Sequence, residues 1–348
     1  MISSRLRSYM TALMEDRSGG MPDPVFRALL SAASAFYRLG IILVEAGYSS
    51  GIRKRTAVDV PVISVGNITL GGTGKTPFTL FVADRLLSAG RRPAVLTRGY
   101  GGDENRMMRR QRPDIRVVMD RDRRRGAGKA VAAGADVLVM DDGFQHRTLD
   151  RDLDIVLVDA VKVFGNGSLV PRGTLRELPS ALGRADMVVL TKTDMAGKAG
   201  TDRAEEAVRA AAGEKPFVHA VHEPDCLLDA AGERYDVSEL AEDRLLLVSG
   251  IADPGYFHYM VRSGGGKVVR TVEYDDHHHY TRQDVDDLEA LCERDGIDLI
   301  VTTAKDGVKL LEIGADLTGE KLRIMDISMR ITKGEERLFA GLDSVLHS

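Results

Sequence analysis

The 348-residue chain carries 48 Lys and Arg against 52 Asp and Glu, with 43% hydrophobic and 29% charged residues, a globular composition long enough for two domains that excludes disorder as the main state. The formal net charge of -4 excludes a general nucleic-acid binder, whose phosphate contacts need a surplus of cations over the domain. Cys226 and Cys292 stand apart with no Cys/His ligand spacing, which excludes a disulfide framework and a cysteine-built zinc site and fits a reducing, cytosolic setting.

Residues 1–20 scatter Arg5, Arg7, Glu15, Asp16 and Arg17 through the stretch and leave no apolar core for a secretory signal. The stretch 25–44, VFRALLSAASAFYRLGIILV, is the most lipophilic in the chain. Arg27 and Arg38 cut it below the roughly 18 uninterrupted apolar residues of a spanning helix, so it is expected not to cross a bilayer. A helix here either packs on the protein's own core or lies on a membrane surface with its basic side chains at anionic head groups. The residues by themselves favour core packing slightly.

From Val60 onward short β-branched runs alternate with helical stretches: Val60–Val65, Pro93–Leu96, Val137–Met140, Ile155–Val158 and Met187–Leu190. Continuous apolar runs separated by crossover-length segments predict a mostly parallel sheet covered by helices on both faces, with function at the strands' carboxyl ends. The first run leads into GNITLGGTGKTPF and then an apolar helical pattern over Phe78–Leu87. That order of strand, Gly-rich loop and helix suits a nucleoside triphosphate. Backbone N–H groups of Gly71, Gly72, Thr73 and Gly74 can turn toward phosphate oxygens, Lys75 brings a charge to the β/γ-phosphates, and the Thr76 hydroxyl can ligate Mg²⁺. The strict pattern would place a glycine where the chain has Thr69, with Gly71 and Gly72 supplying the flexibility instead.

Further on, the turn RGYGG runs directly into Asp103 and Glu104, and between Arg98 and Lys129 there are 11 Lys/Arg against 5 Asp/Glu. This local basic bias suits an anionic lipid surface or a phosphorylated substrate, or is a solvated helix face. Asp141 and Asp142 close the Val137–Met140 run, with His146 four residues beyond the pair. Acids at a strand end beside a phosphate loop are where Mg²⁺ is held.

Past Met187–Leu190 comes Thr191–Lys192–Thr193–Asp194, like a guanine-reading loop, and then a helical stretch to about Lys215. New strands follow at Phe217–Val221, Leu245–Val248, Lys267–Val272 and Leu299–Thr302, which predicts a second, smaller α/β domain from residue 216. The expected organisation is a helical membrane-associating segment over 1–50, a P-loop NTPase-like domain over 51–215, and the smaller domain over 216–348. Two function classes compete. In a GTPase of metal-delivery type, His277, His278 and His279 would be a metal-binding tract. In a kinase, one of these imidazoles would work beside a carboxylate. Three adjacent histidines point in different directions and seldom share an ion, which favours the kinase.

In order, GNITLGGTGKTP, RGYGG, GDE, DDGFQH, FGNGSLVPRGTLRE, DHHHYT and TTAKDGVK resemble the tetraacyldisaccharide 4'-kinase family, the lipid A 4'-kinases of bacterial outer-membrane biogenesis. The resemblance runs over nearly the whole chain to about Leu310. It implies a peripheral enzyme at the cytoplasmic face of the inner membrane that moves the γ-phosphoryl of ATP to the 4'-hydroxyl of a lipid disaccharide 1-phosphate. Neither nucleic acid nor an obligate protein partner is implied, and the membrane reading of 25–44 becomes the better one. By the same resemblance Gly71 to Thr76 bind nucleotide, and Thr76, Asp141, Asp142 and Glu177 lie at the Mg²⁺. Asp103 is the base, supported by His277, and Lys75 completes the catalytic set. Arg98, Arg176 and His146 are candidates for the remaining positive charge or for substrate contact.

The chain departs from the family where a longer insertion separates the RGYG turn from GDE, where TTAKDGVK stands for TEKDAVK, and where LVPRGTLRE replaces LPAGPLRE. The short loop leaves two other readings: Asp103 as an exposed turn residue, and the chain as a catalytically weak, nucleotide-binding relative.

Overall fold

The structure, a computed structural model, describes residues 9, 13, 14, 16, 23–99, 102–314 and 321–346. Most of the segment before residue 23, together with Tyr100 and Gly101 of the RGYGG turn, lies outside the described residues.

In chain order the elements are α1 (Asp23–Ser49), β1 (Val62–Asn67), α2 (Lys75–Ser88), β2 (Pro93–Thr97), α3 (Asp103–Gln111), β3 (Arg116–Met119), α4 (Arg123–Ala132), β4 (Val137–Asp141), β5 (Leu153–Asp159), β6 (Met187–Thr191) and α5 (Thr193–Ala212). The second half continues with β7 (Phe217–Leu228), β8 (Arg234–Tyr235), β9 (Arg244–Ser249), α6 (Pro254–Ser263), β10 (Lys267–Glu273), α7 (Arg282–Asp295), β11 (Leu299–Thr303), α8 (Ala304–Leu311), β12 (Leu322–Lys333) and α9 (Glu335–Leu346). Each strand read from the sequence is present. β3, β8 and β12 are additional to the expected strands, and β7 runs seven residues past the expected Val221.

One sheet passes through both halves, in the order β10-β9-β11-β12-β7-β6-β5-β1-β4-β2-β3, with β8 against β7. Strands β1, β2, β4, β5 and β6 are buried along their whole length, as continuous apolar runs in a doubly covered parallel sheet should be. Each half keeps its own apolar layers. Phe78, Val82 and Leu86 of α2 pack with Leu338 and Leu342 of α9 on one face of the first half, and Ala204 and Val208 of α5 lie on the other. In the second half Val285, Leu288 and Cys292 of α7 cover one face, while Tyr256, Phe257 and Val261 of α6 cover the other.

The pairing of β7 with β12 shapes the molecule. All the other main pairs are parallel, but β12 runs antiparallel to β7, so the strands of the second half point opposite to those of the first. β6 ends where Thr191 meets Ala220 of β7, and β11 ends where Thr303 meets Met325 of β12, itself opposite Leu227. The carboxyl ends of the two strand sets therefore face each other. Between them lie about six residues of β7, roughly 20 Å of extended chain. A cleft between facing strand ends is where both halves can contribute loops.

α1 is not a core helix. Only 6% of its apolar span is buried, and Leu29, Phe36 and Leu43 are 62, 76 and 63% exposed. The preference for core packing is thus overturned. By length and composition α1 is also long and apolar enough to cross a membrane, since two widely spaced cations are diluted in so long an apolar span. Its inner face is tied to the loop after β5: Ser34 Oγ donates to the Leu169 carbonyl at 2.8 Å, and the Tyr37 hydroxyl donates to the Arg176 carbonyl at 3.0 Å. Arg147 and Arg184 both reach Glu45.

Candidate active site

The cleft holds a cavity of about 770 Å³ lined from both halves. From the first half come the phosphate loop, Arg98, Asp141, Asp142 and Arg176; from the second come Asp253, His277 and Lys305.

The phosphate loop follows β1 as the sequence predicts. Thr69 bridges to Leu175, and the Leu70 N–H donates to the Thr174 carbonyl at 2.7 Å, so this position is held in a ladder and needs no glycine. The Asn67 side-chain amide donates to Thr73 Oγ1 at 2.9 Å, and Thr191 Oγ1 donates to the Thr73 carbonyl at 3.1 Å, bracing the loop from below. Gly74 has φ 81, and a Cβ there would meet the His222 imidazole at 2.6 Å, so glycine is required on both counts. Its carbonyl accepts the Phe78 N–H at 3.0 Å to start α2, with Lys75 and Thr76 at the helix's first positions.

Asp141 ends β4 directly beside this loop. Thr79 Oγ1 donates to its Oδ1 at 3.0 Å and Thr76 Oγ1 donates to its Oδ2 at 3.4 Å. Burial, with Glu104 and Asp142 nearby, pushes the Asp141 carboxyl up to about 7. A buried carboxylate disfavoured in this way is one that a cation would relieve. The donors gathered here, the Thr76 hydroxyl and the carboxylates of Asp141 and Asp142, are all hard oxygens, and they fit Mg²⁺. Against its burial, Lys75 and Arg176 hold the Asp142 carboxyl below the usual range. Lys75 Nζ lies 3.6 Å from its Oδ1, and Arg176 Nη1 donates to both of its oxygens at 2.8 and 2.9 Å.

Asp103 opens α3, which packs against α8 across the cleft. This contact brings the two halves' chemistry together. Asp103 is 3% exposed, so it is not a loose turn residue. Its Oδ2 lies 3.0 Å from His277 Nδ1, and its Oδ1 accepts the Glu104 N–H at 3.1 Å. Burial opposes ionisation of Asp103, but the His277 hydrogen bond and the Lys305 charge outweigh it and hold the carboxyl down at about 2. The bond to Asp103 in turn raises the His277 imidazole above its usual value, against burial and Lys305.

The other two histidines of the tract go elsewhere. His278 stacks on Tyr274 and shares a hydrogen bond with Asp284 at 3.2 Å, and His279 is exposed. The three adjacent rings are thus held in different surroundings. The TKTD segment is not presented to a guanine either. Lys192 is 2% exposed, donates to Asp159 Oδ2 at 2.5 Å, and also pairs with Asp253. Asp194 accepts the Tyr256 hydroxyl through both oxygens.

Two expected site residues stand apart from the cavity. Glu177 accepts Gln145 Nε2 at 3.0 Å through one oxygen and Arg184 Nη2 at 2.7 Å through the other. Its carboxylate is therefore used in supporting the loop that carries Arg176, and it is not brought to the Thr76–Asp141 group. Burial and the Arg123 guanidinium push the His146 imidazole down to about 4, so at neutral pH it is uncharged and does not supply the expected cation. Arg98 and Arg176 do line the cavity.

Two further cations in the cavity had no role assigned from sequence. Arg123, 2% exposed at the start of α4, donates Nη2 to the Asp141 carbonyl at 2.8 Å, while its Nε and Nη1 have no partner among the described residues. Lys305 lies beside His277. The signals available were an arginine in a basic run and a lysine after a strand, and neither indicates the cavity without the fold.

The profile of the tetraacyldisaccharide-1-P 4'-kinase family (LpxK) matches residues 26–103 and 101–347, in two stretches that meet where the insertion is missing. The tetraacyldisaccharide 4'-kinase of Anaeromyxobacter dehalogenans (strain 2CP-C) is 37% identical over 339 residues, covering 90% of this chain and 89% of its own length. That of Syntrophus aciditrophicus (strain SB) is 36% identical over 361 residues, covering 94% and 95%. The crystal structure of LpxK from Aquifex aeolicus, described as an "apo" form in complex with ATP, is 28% identical and superimposes with a TM-score of 0.71 over 92% of this chain and 99% of that one. Matches that run almost end to end, on a fold that lines one cleft with a phosphate loop and with the imidazole partner of a buried carboxylate, establish that the chain belongs to the tetraacyldisaccharide 4'-kinase family.

Proposed function

We propose that the chain transfers the γ-phosphoryl of ATP to the 4'-hydroxyl of a tetraacylated glucosamine disaccharide 1-phosphate, the step of lipid A biosynthesis that its family carries out. The observation that carries this reading is the Asp103–His277 pair, 3.0 Å apart and set across the cleft from Lys75.

The loop from Gly71 to Thr76 cradles the phosphates, with Lys75 on the β/γ oxygens. Thr76 and Asp141, with Asp142 beside them, would hold Mg²⁺, which supplies charge neutralisation on the phosphates when bound. Both oxygens of Asp103 are engaged, whereas the His277 ring lines the cavity. The proton of the sugar hydroxyl is therefore assigned to His277 Nε2 rather than to Asp103, the base that the family resemblance implies. Asp103 receives the Nδ1–H, fixes the ring's tautomer and stabilises the imidazolium as it forms. Arg98, Arg123 and Arg176 place further positive charge where the loose transition state spreads its negative charge.

The exposed apolar face of α1 supports residence at the cytoplasmic face of the inner membrane, where the lipid acceptor lies. Tyr37 then ties that helix to Arg176, so the surface that meets lipid and a cation of the site share one rigid connection. The residues 51–215, with α9 packed on them, and the remainder of 216–348 act as two lobes that share a sheet and close on the nucleotide and acceptor from opposite sides.

The test is transfer of labelled γ-phosphate from ATP, with GTP alongside, to a detergent-dispersed tetraacyl disaccharide 1-phosphate, for the native chain and Asp103→Ala. Transfer from ATP that falls at least 100-fold in the variant is the expected result, given the ~10²–10⁴ range of general base catalysis. GTP hydrolysis without lipid transfer would overturn the reading.

A further inference from the structure

The TTAKDGVK segment places two adjacent charges on opposite sides of one turn. Asp306 points inward: it is fully buried and accepts the Gly250 N–H at 2.9 Å and the Thr303 hydroxyl at 2.8 Å, which fastens the end of β9 to the start of α8. Lys305 points into the cleft. Its Nζ donates to Asp276 Oδ1 at 2.9 Å, lies 3.4 Å from His277 Nε2, and is 3.9 Å from Glu104 Oε1. Since His277 Nδ1 faces the Asp103 carboxylate, Nε2 is the nitrogen left with a lone pair, and the Lys305 ammonium is its donor. The atom assigned to receive the sugar proton is thus already engaged by a cation.

We infer that Lys305 is a catalytic residue that changes partner during turnover, holding His277 Nε2 free of a proton until the γ-phosphoryl of ATP draws the ammonium onto its own oxygens. This rests on the lipid-kinase reading above. An ammonium on a flexible four-carbon stem has three donors and can shift one of them by a small rotation. A phosphoryl oxygen carries more negative charge than an imidazole nitrogen and competes for it. Once released, Nε2 is free for the acceptor hydroxyl. In the transfer the sugar oxygen bonds to the γ-phosphorus, and the bond to the β,γ-bridging oxygen breaks with its electron pair leaving on ADP. The hydroxyl proton passes to His277 Nε2. Lys305 keeps all its protons and supplies charge only. The charged groups facing His277 are Asp103 from α3, Asp276 from its own loop and Lys305 from α8, so removing Lys305 leaves only carboxylates around the ring.

The experiment compares the native chain with Lys305→Met, Lys305→Gln and Lys305→Arg in three readouts: ATP affinity, kcat for lipid phosphorylation, and kcat against pH. In the Met and Gln variants kcat is expected to fall at least ~100-fold, as for loss of one charge at a transition state, with ATP affinity falling less than kcat. Their acid limb should move to higher pH, since the cation that repels a proton from Nε2 is gone. Lys305→Arg should recover at least tenfold of the loss. Should the Met variant fail to fold, the Gln variant carries the same reading. A kcat within threefold of native in a folded variant overturns the role of Lys305 alone, as does a loss with an unmoved acid limb or one confined to ATP affinity. Absence of lipid transfer by the native chain overturns the kinase reading itself, and Lys305's part falls with it.

Discussion

Asp141 is where catalysis and stability oppose each other most directly, and Asp141→Asn should separate them. Moving a buried carboxyl from 3.8 to about 7 disfavours the folded, ionised protein by roughly 4 kcal/mol above pH 7. The sign follows from proton linkage. The folded state holds its proton more tightly than the unfolded chain, so the cost is absent below 3.8, accrues as pH rises toward 7, and is complete above it. An uncharged Asn of the same shape keeps the side-chain oxygen that accepts from Thr79 and never bears that cost. In Mg²⁺-free buffer at pH 8 the variant should be more stable than native by at least ~1–2 kcal/mol after local losses, a rise of a few degrees in melting temperature. At pH 5 less than half of the cost has accrued, so the advantage should shrink toward acid. Mg²⁺ with ATP should restore native stability by occupying the site and should help the variant far less. Lipid phosphorylation by the variant should be lost. Differential scanning fluorimetry across pH, with and without Mg²⁺ and ATP, measures the stabilities, and labelled phosphate transfer to lipid measures the activity. An Asn variant that melts at or below the native temperature at pH 8, or whose advantage grows toward acid, would show that Asp141 is not the strained carboxylate described.

Asp103→Asn should reduce kcat by ~10²–10⁴ and move the acid limb of kcat to lower pH, because the partner that raises His277 is lost. That is opposite to the shift expected for Lys305→Met, and pH–rate profiles of both variants decide it. Gly74→Ala should weaken ATP binding at least tenfold, since the added methyl meets His222 at 2.6 Å on a backbone of φ 81; isothermal titration with ATP reads the change, and unaltered affinity would count against the loop geometry. Phe36→Asp with Leu43→Asp on the exposed face of α1 should cut flotation with anionic vesicles at least tenfold, each lost apolar side chain being worth about 1.5–3 kcal/mol if buried in lipid. Turnover of detergent-dispersed substrate should stay within threefold, and undiminished flotation would remove α1 from the membrane contact.

How much was legible in the chain depended on whether a signal was local. The phosphate loop, the Asp141–Asp142 strand end and the buried parallel strands were readable because their residue types and spacing act within one turn or one strand. β12 was not legible, since its residues pair with β7 through bulges at Asp326 and Ile331 that break a clean alternation. Glu177 and His146 carry the right chemistry in the right segment, yet Arg184 and Gln145 claim the first and burial neutralises the second. Neither outcome can be seen without knowing what packs beside them.

Sequence by itself determined the nucleotide-binding loop, the acid pair at its side and the family of the chain, because seven short motifs in order constrain ancestry even where each is weak. Only the tertiary structure decided that β12 runs against β7 and turns the second half's strand ends to face the first. It also decided that α3 meets α8, so that Asp103, His277 and Lys305, up to 202 residues apart, share one set of hydrogen bonds. The physical reason is that strand direction and side-chain pairing depend on which surfaces are buried together, and burial is a property of the folded whole.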